Sequence, residues 1–154
     1  MGRNKGEHLD ETGWRILVEL QKNSRISFKE IGSKVGLSCS SVIERVRRME
    51  ESGLIRSYTT IVDGEMAGFF IRAIIELKSY SPKDEEQLRQ KLLDNLYVQQ
   101  FWNITGDNDF IMEAVFSSTK DLLAFLVSLG EHGQTFSSVV LDMPHRKHLQ
   151  APQS

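Results

Sequence analysis

The sequence predicts an α+β chain: an N-terminal winged helix-turn-helix domain followed by a ferredoxin-like βαββαβ sandwich. Three observations carry that expectation. Residues 27–55 (SFKEIGSKVGLSCSSVIERVRRMEESGLI) spell two capped amphipathic helices joined by a short glycine turn. From residue 69 onward the rhythm becomes β-α-β-β-α-β, an order in which two helices cover one face of a sheet. The charge divides along the same line. Residues 1–64 carry 11 Lys+Arg against 9 Asp+Glu, and residues 65–154 carry 8 against 12, which fits a DNA-contacting first half and a second half with another task.

Residues 1–8 read as a polar tail. Asp10 is placed to cap a first helix over residues 11–22 that buries Ile16, Leu17 and Leu20, with Trp14 at its edge. Ser27-x-x-Glu30 has the capping-box spacing, in which hydroxyl and carboxylate each accept the other residue's backbone amide. Phe28, Ile31 and Val35 then recur at helical spacing. Gly36 ends that helix, because glycine leaves through a left-handed conformation at little steric cost. Ser38 caps a third helix with the apolar stripe Val42, Val46 and Met49. Together these helices form an expected DNA-binding domain over residues 9–54.

At about 100° per residue, Ser40, Ser41, Glu44, Arg47 and Arg48 fall opposite the Val42 stripe, and Arg45 lies on its flank. In a helix-turn-helix one helix braces and the next enters the major groove. Arg45, Arg47 and Arg48 are therefore expected on phosphates and bases. Ser40, Ser41 and Glu44, beside Ser38, are expected at base edges, and Lys29 and Lys34 on the DNA backbone. The bland alternative is a solvated charged face.

Residues 55–62 (IRSYTTIV) are rich in β-branched side chains and read as a strand, with a turn at Asp63-Gly64. The 55–68 segment is expected to be a wing, a hinge or both. Residues 69–78 alternate, with Ile71, Ala73, Ile75 and Leu77 on one face. Ser81-Pro82 opens a helix with the stripe Leu88, Leu92 and Leu96. Residues 98–105 and 109–116 read as strands around a Gly106-Asp107-Asn108 turn. A helix over 119–129 is expected to bury Leu122, Leu123, Phe125 and Leu126, and residues 136–143 a last strand. The second domain thus spans 69–143, and 144–154 is a polar tail.

Trp102, Phe110, Met112 and Phe116 are more apolar side chains than one helix layer needs. Either they line an uncovered sheet face that drives self-association, or all of them fill the monomer core. The Asp107-Asn108-Asp109 run lacks the regularly spaced oxygens of a calcium loop. His145-x-x-His148 has a metal-compatible spacing but no companion ligands, since structural zinc takes four. No nucleophile elbow, phosphate loop or metalloprotease motif occurs, so neither catalytic residues, a resident metal nor a cofactor is expected.

Composition agrees with a soluble globular chain: 154 residues, 40% hydrophobic, 26% charged, net charge −2. The overall acidity argues against wholesale non-specific nucleic-acid binding. Cys39 is the single cysteine, which rules out an intramolecular disulfide and suggests no oxidising compartment. It reads as a small residue tolerated at a helix start. MGRNKGEHLD is no signal peptide, and no run of about 18 apolar residues suggests a membrane span. A cytoplasmic location is expected.

The chain resembles the Lrp/AsnC (feast/famine) family of prokaryotic transcription regulators. The resemblance rests on Leu9-Asp10, Ile16-Leu17, Leu20-Gln21, Arg25-Ile26-Ser27, Val35-Gly36-Leu37-Ser38, Glu44-Arg45-Val46-Arg47-Arg48-Met49-Glu50, Gly53-Leu54-Ile55, Tyr58-Thr59 and Thr105-Gly106-Asp107-x-Asp109. These run in matching order from about Leu9 to about Met143. The chain departs from the family where Gly13 replaces a frequent acidic residue and Cys39 a frequent proline. The resemblance implies sequence-specific binding of double-stranded DNA at a roughly palindromic operator. It also implies homodimers stacked into higher oligomers, and an intersubunit pocket for a small effector, commonly an amino acid. Thr105, Gly106, Asp107 and Asp109 would help form that pocket, loop amides holding a carboxylate and Asp109 an ammonium. Sirohaem decarboxylases resemble the same two-domain architecture and supply the enzyme alternative. They have no need of a basic recognition helix, and here no histidine lies in or just before the first strand of the second domain.

Overall fold

A computed structural model describes residues 9–142 and 148–151 of the chain. The expected tail 1–8, Met143 at the end of the expected last strand, and His145 lie outside those residues. Residues 9–61 with 148–151 form one compact unit, and residues 62–142 another.

The first unit holds α1 (Glu11–Lys22), α2 (Phe28–Val35) and α3 (Cys39–Glu51). Each begins at the residue whose side chain can take an orphan amide. Asp10 accepts from the Gly13 amide at 2.7 Å, and Ser38 Oγ from the Ser41 amide at 3.2 Å. Ser27 and Glu30 make the reciprocal capping box, at 3.2 and 3.1 Å. Ile16, Leu20, Ile31, Val35, Val42 and Val46 bury one stripe from each helix into a common core. Each full burial of this kind contributes about 1.5–3 kcal/mol.

The α2–α3 turn depends on two glycines. Gly36 has φ 76°, a left-handed conformation that a side chain disfavours. The Gly32 carbonyl accepts from the Gly36 amide at 2.9 Å and the Leu37 amide at 3.0 Å. A Cβ on Gly32 would lie 2.5 Å from the Leu37 carbonyl oxygen, so only glycine admits so tight a return.

The expected strand over 55–62 does not form. The segment carries no ladder, and Ile61 and Val62 are exposed. β-branched composition expresses a fit to a pleated surface, and it yields a strand only where a partner strand is available. Local bonds anchor it instead: the Ile55 amide donates to the Met49 carbonyl at 2.9 Å, and the Tyr58 hydroxyl donates to Glu50 at 2.7 Å. The turn at Asp63-Gly64 is present, the Phe69 amide donating to the Gly64 carbonyl at 2.7 Å.

The second unit holds β1 (Ile71–Ser79), α4 (Pro82–Leu93), β2 (Val98–Asn103), β3 (Phe110–Phe116), α5 (Thr119–Gly130) and β4 (Gly133–Val139). The antiparallel sheet has the order β2-β3-β1-β4. Ser81 and Ser118 cap the two helices. The core joins Ala73, Ile75 and Leu77 of β1 to Phe110, Met112, Ala114 and Phe116 of β3. Leu88 and Leu92 of α4, with Phe125 and Leu129 of α5, complete it.

Three expectations shift. β4 starts three residues earlier than expected because Gly133 pairs with Ser79, where a Cβ would meet the Lys78 carbonyl oxygen at 2.3 Å. Leu96 is exposed, since α4 stops at Leu93 and the stripe loses its helix. Leu123 is also exposed: α5 is leucine-rich all round, and only the Phe125–Leu129 side meets the sheet.

Candidate functional site

The outward face of α3 is held by its own carboxylates. Arg47 Nη2 lies 2.9 and 3.1 Å from the two Glu44 oxygens, and Arg48 Nε lies 3.0 Å from Glu44 Oε1. Arg47 also reaches Glu51 at 3.3 Å. All four side chains are exposed. Hydrogen bonds from Arg48 and Arg47 hold the Glu44 carboxyl below its usual range, so the group is ionised at neutral pH. Ser38 Oγ stands 3.0 Å from Ser40 Oγ and 2.8 Å from Ser41 Oγ, a hydroxyl cluster over the first turn. Phosphate and base-edge contacts both use such groups.

Arg45 is engaged elsewhere. Its Nη1 donates to Asp10 Oδ1 at 2.9 Å, tying the flank of α3 to the N-cap of α1. Lys34 pairs with Glu19 of α1, which also accepts from Lys22 at 2.8 Å. Those two lysine hydrogen bonds pull the Glu19 carboxyl down to about 2. Arg15 donates to the Lys34 carbonyl at 2.6 Å. Lys34 and Arg45 are thus occupied in bracing α1 against its neighbours. Lys29 is exposed on α2.

The β2–β3 loop runs from Ile104 to Asp109, closed by the Ile104 amide donating to the Asp109 carbonyl at 3.0 Å. Gly106 has φ 129°, and Thr105, Gly106 and Asp107 are exposed at the tip. Asp109 does not share that exposure. Its Oδ2 accepts from the Ser79 amide at 2.7 Å, and its own amide donates to the Leu77 carbonyl at 2.9 Å. The carboxylate expected to meet an ammonium therefore closes the end of β1, and Asp107 is the exposed acid of the loop. Asn108 donates to Glu76 at 2.6 Å.

Of the four expected interface side chains, only Trp102 lies on the uncovered sheet face. Phe110, Met112 and Phe116 are fully buried beneath the helices. The register gives the reason: Phe110 pairs with Leu77, Met112 with Ile75 and Phe116 with Ile71, and paired residues share a face. The uncovered face carries the intervening residues. Trp102, Ile111, Glu76 and Phe136 form one row across all four strands, and Trp102 and Phe136 are about half exposed. Beside it, Glu113 pairs with Arg72 and accepts from Gln100 at 2.5 Å. Ile111 and Phe136 were readable from the alternation once the phase of β3 was anchored to β1.

Cys39 is a free, exposed thiol in the first turn of α3. Among the described residues no cluster could hold a metal ion, and no helix is long and apolar enough to cross a membrane.

Comparison with known proteins gives a consistent result across both units. Residues 9–50 match the AsnC-type helix-turn-helix domain, and residues 72–148 match the Lrp/AsnC ligand binding domain. The HTH-type transcriptional regulator Rv2324 of Mycobacterium tuberculosis is 36% identical over 120 residues, 78% of this chain and 81% of that protein. The transcriptional regulator AzlB of Bacillus subtilis is 33% identical over 125 residues, 79% of each chain. The solved structure of B. subtilis LrpC superposes with a TM-score of 0.85 at 28% identity, covering 92% of this chain and all of that one.

Proposed function

The chain belongs to the Lrp/AsnC family of transcription regulators, and we propose that it binds a roughly palindromic operator through α3 under the control of a small effector. The family is one of DNA-binding regulators and not of enzymes, which leaves the decarboxylase alternative without support. The observation that carries the proposal is the outer face of α3. Arg47, Arg48, Glu44, Ser40 and Ser41 project from a helix whose inner stripe is locked into the core, with Ser38 at its cap. Lys29 adds a backbone contact, while Lys34 and Arg45 act by positioning.

The working division keeps residues 9–54 for DNA, 55–68 as connector and 69–143 for assembly and sensing. In the second unit the row Trp102, Ile111 and Phe136 is the surface for a homodimer, from which higher homo-oligomers are built. Its half-exposed aromatics would be covered by a second copy. Two-fold pairing places operator half-sites about one helical turn apart. The exposed Thr105–Gly106–Asp107 tip, with Asp109 fixing its base, is the effector contact, and amino acids are the class to screen first. Loop amides suit a carboxylate and Asp107 an ammonium. Such a regulator works in the cytoplasm.

The test is selection of bound fragments from genomic DNA by the full-length protein, with and without each common amino acid. The expected result is a two-fold symmetric motif whose occupancy changes with one or a few amino acids. Failure to enrich any motif would overturn the DNA reading. An enriched motif indifferent to every amino acid would overturn the choice of effector class.

A further inference from the structure

We propose that Glu44 makes phosphate binding by α3 conditional on the base it faces, so that it sets specificity by restraining Arg47 and Arg48. The proposal rests on the reading of α3 as the DNA-contacting helix and adds a mechanism to it. Both arginines converge on one carboxylate, Arg47 through Nη2 and Arg48 through Nε. Glu51 holds Arg47 from the other side. Over Cys39–Glu51 the three arginines are matched by Glu44, Glu50 and Glu51, so the helix carries no net charge. Glu50 accepts from the Tyr58 hydroxyl, which leaves Glu44 and Glu51 as the acids directly paired with the outward guanidinium groups.

A carboxylate brought to a polyanion is repelled unless a donor meets it. In the major groove the cytosine N4 amino group is the donor that suits Glu. Opposite that base, Glu44 can exchange an arginine N–H for the cytosine N–H and release a guanidinium to phosphate or to the guanine edge. Opposite thymine or guanine, which present acceptors there, Glu44 keeps both arginines and adds its own repulsion. Base identity at one position then governs phosphate contacts made by two other side chains. Discrimination is gained from weakened non-specific binding as well as from one hydrogen bond.

The experiment compares full-length wild type with Glu44→Gln, which keeps the size of the side chain and removes its charge. The probes are the duplexes wild type enriches from a random-sequence pool and a mixed-sequence duplex lacking that motif. Affinity for the second should rise roughly three- to tenfold, the yield of one or two phosphate contacts, and the slope of log affinity against log salt should steepen by about one to two. The variant's own enriched sequences should lose a C·G preference at one position per half-site. Measured against the Arg47→Ala, Arg48→Ala double variant, adding Glu44→Gln should give no gain. A gain that persists there would mean simple charge repulsion and overturn the restraint of the arginines. An unchanged motif and slope in Glu44→Gln would reduce the network to ordinary helix-stabilising ion pairs, with the DNA reading intact. Wild type enriching no motif would remove that reading and this inference together.

Discussion

Arg45 Nη1 lies 2.9 Å from Asp10 Oδ1, the oxygen that also accepts the Gly13 amide at 2.7 Å. One carboxylate thus caps α1 and steadies the flank of α3. Arg45→Ala should lower DNA affinity modestly with little change in its salt dependence, because the residue positions α3 and does not neutralise phosphate. Asp10→Asn retains that oxygen as cap and acceptor but removes its charge, and should give a smaller affinity loss and a smaller fall in melting temperature than Asp10→Ala. Circular-dichroism melts paired with gel-shift titrations separate these outcomes.

Arg47→Ala with Arg48→Ala should behave differently. Binding should weaken most on the duplexes wild type enriches, and there the log–log salt slope should flatten by about one to two, one for each arginine released to a phosphate. An unaltered slope in fluorescence-anisotropy titrations would take both residues off the DNA.

Acid should loosen the helical unit. Glu19 is depressed to about 2 by hydrogen bonds from Lys22 and Lys34, and the Gly13 amide and Arg45 lower Asp10. A carboxyl depressed in the folded state stabilises above its ordinary pKa and loses that contribution as pH falls toward the depressed value. For Glu19 the window runs from 4.5 down to about 2. Asp10, Lys22 and Lys34 are exposed and the Glu19 side chain is only partly covered, so the effect is modest and screened by salt. Glu19→Gln should flatten the decline of urea midpoints across that window.

Core and uncovered face should separate by mutation. Met112→Ala empties a fully buried site and should cost about 2–5 kcal/mol in chemical unfolding. Trp102→Ala with Phe136→Ala should leave the second unit folded and shift the full chain toward smaller species in analytical ultracentrifugation. Unchanged sedimentation would move the self-association surface elsewhere.

In the loop, Asp109→Ala strands the Ser79 amide and should cost about 1–3 kcal/mol. Asp107→Asn should leave stability unchanged while abolishing the calorimetric response to whichever amino acid wild type binds. A retained response would remove Asp107 from the effector contact.

The helices were legible because their signals are local. Asp10, Ser27, Ser38 and Ser81 cap the helices they were read to open, and Gly36 closes α2. The strands depended on partners that sequence does not name. Residues 55–62 have strand composition and no ladder, and β4 is positioned by the Gly133–Lys78 approach. Phe110, Met112 and Phe116 share a face, but it is the helix-covered one and not that of Trp102, with which they were grouped; alternation alone leaves open which face the helices cover. The pairing of Glu44 with Arg47 and Arg48 was implicit in their i+3 and i+4 spacing. The capture of Arg45 by Asp10, 35 residues away, had no local signal.

The tight return at Gly32 and Gly36 also bears on how such a chain can change over generations. The turn and the stripe Val42, Val46 and Met49 tolerate few replacements, since they fix where α3 points. Ser40, Ser41, Glu44, Arg47 and Arg48 contribute nothing to that packing. Duplicated copies can therefore drift to new targets through a handful of surface substitutions while inheriting one unaltered scaffold. Grafting a relative's outward residues onto this helix exchanges the recognition surface without repacking the core.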